Sequence, residues 1–120
     1  MSLAAVAATP TPWKPTRPVT LVVPYTPGGG TDSVARAVSK QLSVIWGQPV
    51  VIENLPGADG LIGTRKVIDA KPDGTTLLMQ VPAIVLTRYT PGLKGVDPVS
   101  QLQPITCLLY TSDAADDTPC

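Results

Sequence analysis

Residues 19–32 read Val19-Thr20-Leu21-Val22-Val23-Pro24-Tyr25-Thr26-Pro27-Gly28-Gly29-Gly30-Thr31-Asp32, and this stretch decides the fold. Val19 to Val23 is a β-branched run bounded by Pro18 and Pro24. Without regular polar alternation, such a run is a strand buried on both faces, which belongs in a parallel sheet. Pro24 to Gly30 is turn material, in which glycine is free to take positive φ. Thr31 or Asp32 then caps a helix, and Asp32 also suits the positive end of the helix dipole. Val34, Val38, Leu42, Ile45 and Trp46 keep one face at helical spacing. Gly47 stops the helix and Pro49 seals it.

A second unit follows on the same plan. Val50-Val51-Ile52 reads as another buried strand, ending at Glu53-Asn54. Pro56-Gly57-Ala58-Asp59-Gly60 is a second glycine loop, and Leu61 to Ala70 reads as a helix with Ile62, Val67 and Ile68 roughly on one side. Pro72-Asp73-Gly74 is a tight turn before a third strand, Thr76 to Met79. The order β-α-β-α-β predicts an α/β fold: a parallel sheet of order 2-1-3 flanked by helices, with right-handed crossovers. Strands are expected at about 19–23, 50–53 and 76–79, and helices at about 31–46 and 60–70. Beyond Pro82, Ile84 to Leu86 suits a short helical turn. Pro91-Gly92 and Gly95 to Pro98 read as loop, and Pro104 to Tyr110 as a candidate last strand.

Composition narrows the function classes. The chain has 120 residues, enough for one domain, with 43% hydrophobic and 15% charged residues, which excludes a disordered polyelectrolyte. It has no His, which removes the serine triad, the usual zinc sets and the commonest general base. Its two cysteines cannot form a metal cluster alone, so no metal and no catalytic residue is assigned. Net charge is zero and pI about 6.1, so no basic patch recommends nucleic acid as a partner. No apolar run reaches the roughly 18 residues of a membrane span.

The two ends are unlike the middle. Leu3 to Ala8 reads either as the small-residue end of a secretory signal or as a frayed Ala-rich terminus. Thr9 to Pro18 holds four prolines and is an extended lead-in. Residues 1–106 carry all nine Lys/Arg against six acids, whereas 107–120 carry Asp113, Asp116, Asp117 and both cysteines. Cys107 to Asp117 (CLLYTSDAADD) resembles a translation of the transposase adapter used in sequencing-library preparation. Residues 107–120 are therefore expected to be a non-native tail, the other reading being an ordinary acidic tail. No function is given to Cys107, Asp113, Asp116, Asp117 or Cys120.

Both glycine loops lie where ligands bind in an open α/β sheet, outside the carboxyl ends of strands. Each opens a helix whose free N–H groups and dipole favour an anion. A phosphate loop would need a Lys, and Thr31-Asp32-Ser33 supplies a carboxylate instead. Gly28, Gly30 and Ser33 fail the third glycine of a dinucleotide fingerprint. Glu53, at the end of the second strand, stands where a ribose-binding acid would be and keeps a nucleotide reading open. So does the plainer reading, that the loops only turn the chain. Asp32 at a helix start is more often structural than a ligand contact, and Arg36 suits a surface place or an Asp32 partner. Tyr25 either walls the cleft or packs on the sheet, and Trp13 and Trp46 are assigned to packing.

Lys14-Pro15, Arg17 to Tyr25, Pro27 to Asp32 and Ala35-Arg36 together resemble the extracytoplasmic solute receptors of the tripartite tricarboxylate transporter system, the Bug family. Gly47 to Asn54 with Pro56-Gly57-Ala58 is similar to the family's second signature, and Pro72-Asp73-Gly74 with Thr76 to Met79 to its third. The resemblance covers Lys14 to about Thr106. It implies a type II periplasmic binding protein, two α/β lobes around a cleft, of which this chain would hold the first part of the first lobe. It also implies a periplasmic location, no enzymatic activity, no cofactor, a small carboxylate ligand and a membrane permease as partner. Carried over by position, the ligand-binding residues are Tyr25, Thr26, Pro27, Gly28, Gly29, Gly30, Thr31 and Asp32, with Gly57, Ala58, Asp59 and Gly60. Asp59 and Leu61 stand where the family usually has Gly and a small polar residue, and Gln80-Val81-Pro82-Ala83 replaces its small Ser/Gly-rich loop. An acid beside a carboxylate site repels its ligand unless it points outward or meets a cationic part of it. The expected division is 1–18 signal remnant and lead-in, 19–106 partial lobe, 107–120 tail. The rival expectations are a nucleotide-binding α/β enzyme fragment and a fragment that binds nothing measurable.

Overall fold

The computed structural model describes residues 13–89, 96–106 and 108. The signal reading of 1–8 and nearly all of the tail lie outside these residues. Three strands, β1 (Val19–Val23), β2 (Val50–Asn54) and β3 (Thr76–Leu78), form one parallel sheet of order β2-β1-β3. Val19 pairs with Val50 and Val23 with Asn54 on one side of β1, and Thr20 pairs with Thr76 on the other. The helices are α1 (Gly30–Trp46), α2 (Leu61–Asp69) and the short α3 (Pro98–Gln101). This is the expected α/β arrangement, with β1 central as its apolar run predicts.

β1 carries the core. Val19, Val22 and Val23 are fully buried and Leu21 nearly so. Each such side chain stabilises the fold by about 1.5–3 kcal/mol through apolar burial. Val19, Leu21 and Val23 cluster with Ala35 of α1 and Val50 of β2, and Leu42, Trp46 and Leu77 pack against them. The even-numbered side faces α2, where a side chain on Gly63 would strike Pro24 Cβ at 2.8 Å. The two helices therefore flank the sheet.

Several local expectations are corrected. β2 is an edge strand and its outer face is open, so Val51 is 53% exposed rather than buried. The N-cap of α1 is Gly29, with no side-chain cap, and neither Thr31 nor Asp32 takes that place. The buried residues of α1 are Asp32, Ala35 and Ser39, whereas Val34 and Ile45 face outward. Small residues there let the helix lie close to β1. Gly47 does end α1, at φ 69 with its N–H on the Ser43 carbonyl. In α2 the buried residues are Gly63, Thr64 and Val67, and Ile62 is exposed. A 3₁₀ turn over Ala58–Gly60 precedes α2, which ends at Asp69. β3 stops at Leu78.

Pro82–Tyr89 forms a run of 3₁₀ turns, longer than the single turn expected at Ile84 to Leu86. Pro98 opens α3 instead of lying in loop, because Asp97 caps it by accepting from the Val99 amide. Residues 104–106 are not strand, and most of the remainder of that candidate lies outside the described residues. The lead-in is tied to the amino end of the sheet. Trp13 meets Trp46 edge to face at 5.4 Å, Arg17 pairs with Asp73, and Pro15 is buried.

Candidate functional site

The carboxyl ends of all three strands are laced together around Tyr25. Asn54, the last residue of β2, donates from Nδ2 to the Tyr25 carbonyl at 3.2 Å and to Asp32 Oδ1 at 2.9 Å. The Tyr25 hydroxyl donates to Oε1 of Gln80, just past β3. Tyr25 itself is half-buried against the sheet, so it packs on the core and also lines the gap between the loops. Burial raises its pKa, and the negative charge of Asp59 raises it further.

Asp32 is 2% exposed, and its carboxylate turns inward. Oδ2 accepts from the Gly28 amide at 3.0 Å and from Arg36 Nε at 2.7 Å, while Oδ1 takes Asn54. Those bonds hold its pKa down at about 2, the Arg36 bond contributing most. Asp32 thus fixes the glycine loop from behind, and the Gly28 amide is already engaged. Ahead of this brace stand the first-turn amides of Gly30, Thr31 and Asp32, which have no carbonyl of the helix to bond. They sit at the positive end of a 17-residue helix. Thr26, Pro27, Gly28, Gly29 and Gly30 are exposed, and Thr31 is half-buried.

The second loop bends back sharply. Gly57, Ala58, Asp59 and Gly60 have φ of 126, 49, 55 and 89, four successive residues in the positive range. Ala58 and Asp59 hold this conformation without the freedom of glycine, which is why glycine is the more natural residue there. Gly57, Ala58 and Asp59 are exposed, and Gly60 is buried. A side chain on Gly60 would meet Gln80 Nε2 at 2.8 Å and the Tyr25 hydroxyl at 3.5 Å. The structure therefore brings Tyr25 of the first loop beside Gly60 of the second.

Two polar residues that sequence reasoning did not assign to the site, Asn54 and Gln80, make these connections. Their only signal in the sequence is position, at or just beyond the carboxyl end of a strand. Glu53, the acid a ribose would need, is instead paired with Lys66 Nζ at 2.6 Å. A concave surface of about 280 Å³ lies at the opposite end of the sheet, by Trp13, Lys14 and Arg17. Arg17 there is already paired with Asp73, and no strand carboxyl end opens onto it. No group of three or more metal-ligating side chains occurs among the described residues, and no helix among them is long and apolar enough to cross a membrane.

The family described as "Tripartite tricarboxylate transporter family receptor" matches residues 34–114. Protein BugT of Bordetella pertussis is 37% identical over 106 residues, 82% of this chain and 32% of BugT. MatC of Rhodopseudomonas palustris, solved with bound malate, is 41% identical over 72% of this chain and 30% of its own, with a TM-score of 0.59. A protein of R. palustris solved with adipate is 46% identical over 58% of this chain and 23% of its own, with a TM-score of 0.57. The chain thus spans no more than about a third of the length of the proteins it matches.

Proposed function

Because the chain belongs to the tripartite tricarboxylate transporter receptor family, we propose that it binds a small organic carboxylate at the carboxyl ends of β1 and β2. In this reading the site does no chemistry. It captures a solute in the periplasm for delivery to a membrane permease, and the rest of a two-lobed receptor would close over the ligand by hinge motion. The observation that carries it is the start of α1: amides without helical acceptors, at the positive end of the dipole, held forward by the buried Asp32 brace. Relatives of similar sequence solved with malate and with adipate support a dicarboxylate-sized anion.

Ligand contacts are assigned to the amides of Gly29, Gly30, Thr31 and Asp32 and, across the gap, to the loop from Gly57 to Gly60. Tyr25 walls the site. Thr26 and Pro27 shape its rim. Asp32 serves by position, since a carboxylate facing a carboxylate ligand would repel it. Asp59 stays at the exposed mouth. A calorimetric screen of mono- and dicarboxylates against ATP and NAD tests the reading. Heat on adding malate or adipate supports it, and binding of ATP or NAD with no response to any carboxylate overturns it.

A further inference from the structure

We propose that Gln80 is a positioning residue that ties the two glycine loops into one unit. Its carboxamide stands between them with both ends engaged. Oε1 accepts from the Tyr25 hydroxyl and, at 2.8 Å, from the Val81 amide. Nε2 donates to Thr64 Oγ1 at 3.3 Å, and Thr64 in turn donates to the Gly60 carbonyl at 2.8 Å. The donors all run one way, from Tyr25 through Gln80 and Thr64 to Gly60, an order in which each bond polarises the next. Thr64 is buried, and no buried side-chain polar atom lacks a partner among the described residues.

Contact adds to bonding. Gly60 has no side chain, and Nε2 of Gln80 fills the place where one would stand, 2.8 Å from an ideal Cβ. Within the second loop Ala58 and Asp59 hold positive φ without the freedom of glycine, so local backbone preferences do not by themselves favour its shape. Its shape depends on what fastens Gly60, and the fastening runs to Tyr25 of the first loop. Gln80 therefore sets the gap between the two sets of amides. The bearing of that gap on which acids are accepted rests on the carboxylate reading; the tie itself does not.

The test needs no ligand, so its failure is separate from failure of carboxylate binding. Amide hydrogen exchange is measured by NMR on the 120-residue chain, on Tyr25→Phe, on Gln80→Leu and on the double variant. The probe is the Gly60 amide, which bonds the Gly57 carbonyl at 3.0 Å, and the reference is a core amide of β1. Tyr25→Phe is expected to speed Gly60 exchange about fivefold, the effect of one net hydrogen bond, and Gln80→Leu, which removes three bonds, at least as much, with the β1 amide unchanged. The double variant is expected to be no faster than Gln80→Leu alone, since Tyr25 acts through Gln80. A merely structural contribution from each residue would give effects that multiply. Multiplying effects, or a Gly60 amide untouched by Tyr25→Phe, overturn the proposal. Tyr25→Phe alone, which keeps the ring and its packing, decides the matter if Gln80→Leu fails to fold.

Discussion

Asn54 Nδ2 lies 2.9 Å from Asp32 Oδ1, and through this bond the end of β2 holds the first turn of α1. The same amide nitrogen reaches the Tyr25 carbonyl, so one side chain fastens the edge strand to both the loop and the helix that the site needs. A neutral amide suits this place. It satisfies a buried carboxylate without cancelling the charge that Arg36 and the Gly28 amide already balance.

Asn54→Ala is therefore expected to lower the unfolding free energy by about 2 kcal/mol, the range for a hydrogen bond to a charged group. Urea denaturation checks this. A loss confined to a few tenths would show that water replaces the amide.

Asp32 also makes stability depend on pH. Its folded pKa is about 2, below the ordinary value of 3.8. A depressed folded value means the contribution is present in full above the unfolded pKa and is lost as pH falls from about 4 towards 2. Asp73, held low mainly by Thr75, acts in the same direction. Side-chain carbon NMR should place the Asp32 midpoint near 2, with unfolding free energy falling across the same interval. A midpoint at the ordinary value would contradict the brace.

The second loop gives a pair of opposite expectations. Gly60→Ala puts a Cβ on Gln80 and holds an L-residue at φ 89, so a loss of about 1–3 kcal/mol is expected. Ala58→Gly relieves a positive φ of 49 and should be neutral or stabilising by up to about 1 kcal/mol. Thermal unfolding of both variants is the check, and equal shifts in the same direction would count against the loop geometry.

Asp59→Gly removes the negative charge at the loop mouth and puts glycine, which takes positive φ freely, where a residue with a side chain stands at φ 55. Carboxylate affinity is expected to hold or tighten, as calorimetry would read it. A large loss would mean that Asp59 orients the ligand through a cationic group on it.

The sheet was legible because its signal is local. Val19 to Val23 is apolar but for Thr20 and shows no regular polar alternation, the pattern of a central parallel strand buried on both faces. The glycine loops and the helix stop at Gly47 were legible for the same reason. The face of α1 was legible in part. Leu42 and Trp46 pack against the core as their spacing predicts, but Val34 and Ile45 face outward, and the buried positions include Ala35 and Ser39, small residues that a hydrophobic pattern undervalues. Asn54 and Gln80 were illegible as site residues because their partners are remote: Asp32 is 22 positions from Asn54, and Tyr25 is 55 from Gln80. The direction of the Asp32 carboxylate depends on those remote partners too, so the sequence left it open between ligand and structure.

The central claim, that a carboxylate rests on the opening amides of α1, is tested most directly by a malate titration followed by NMR in the native chain and in Gly30→Pro. Gly30 is the first residue of the helix, where proline is tolerated, and a side chain there meets nothing within 4 Å. Gly29 before it is already extended, at φ −81 and ψ 179, as a residue preceding proline requires. The substitution thus removes one donor and leaves the helix. Malate is predicted to shift the amides of Gly29 to Asp32 and of Gly57 to Gly60, and Gly30→Pro to weaken it about tenfold or more. Undiminished malate affinity in Gly30→Pro, or malate and adipate leaving those amides unmoved while ATP or NAD shifts them, would contradict the account.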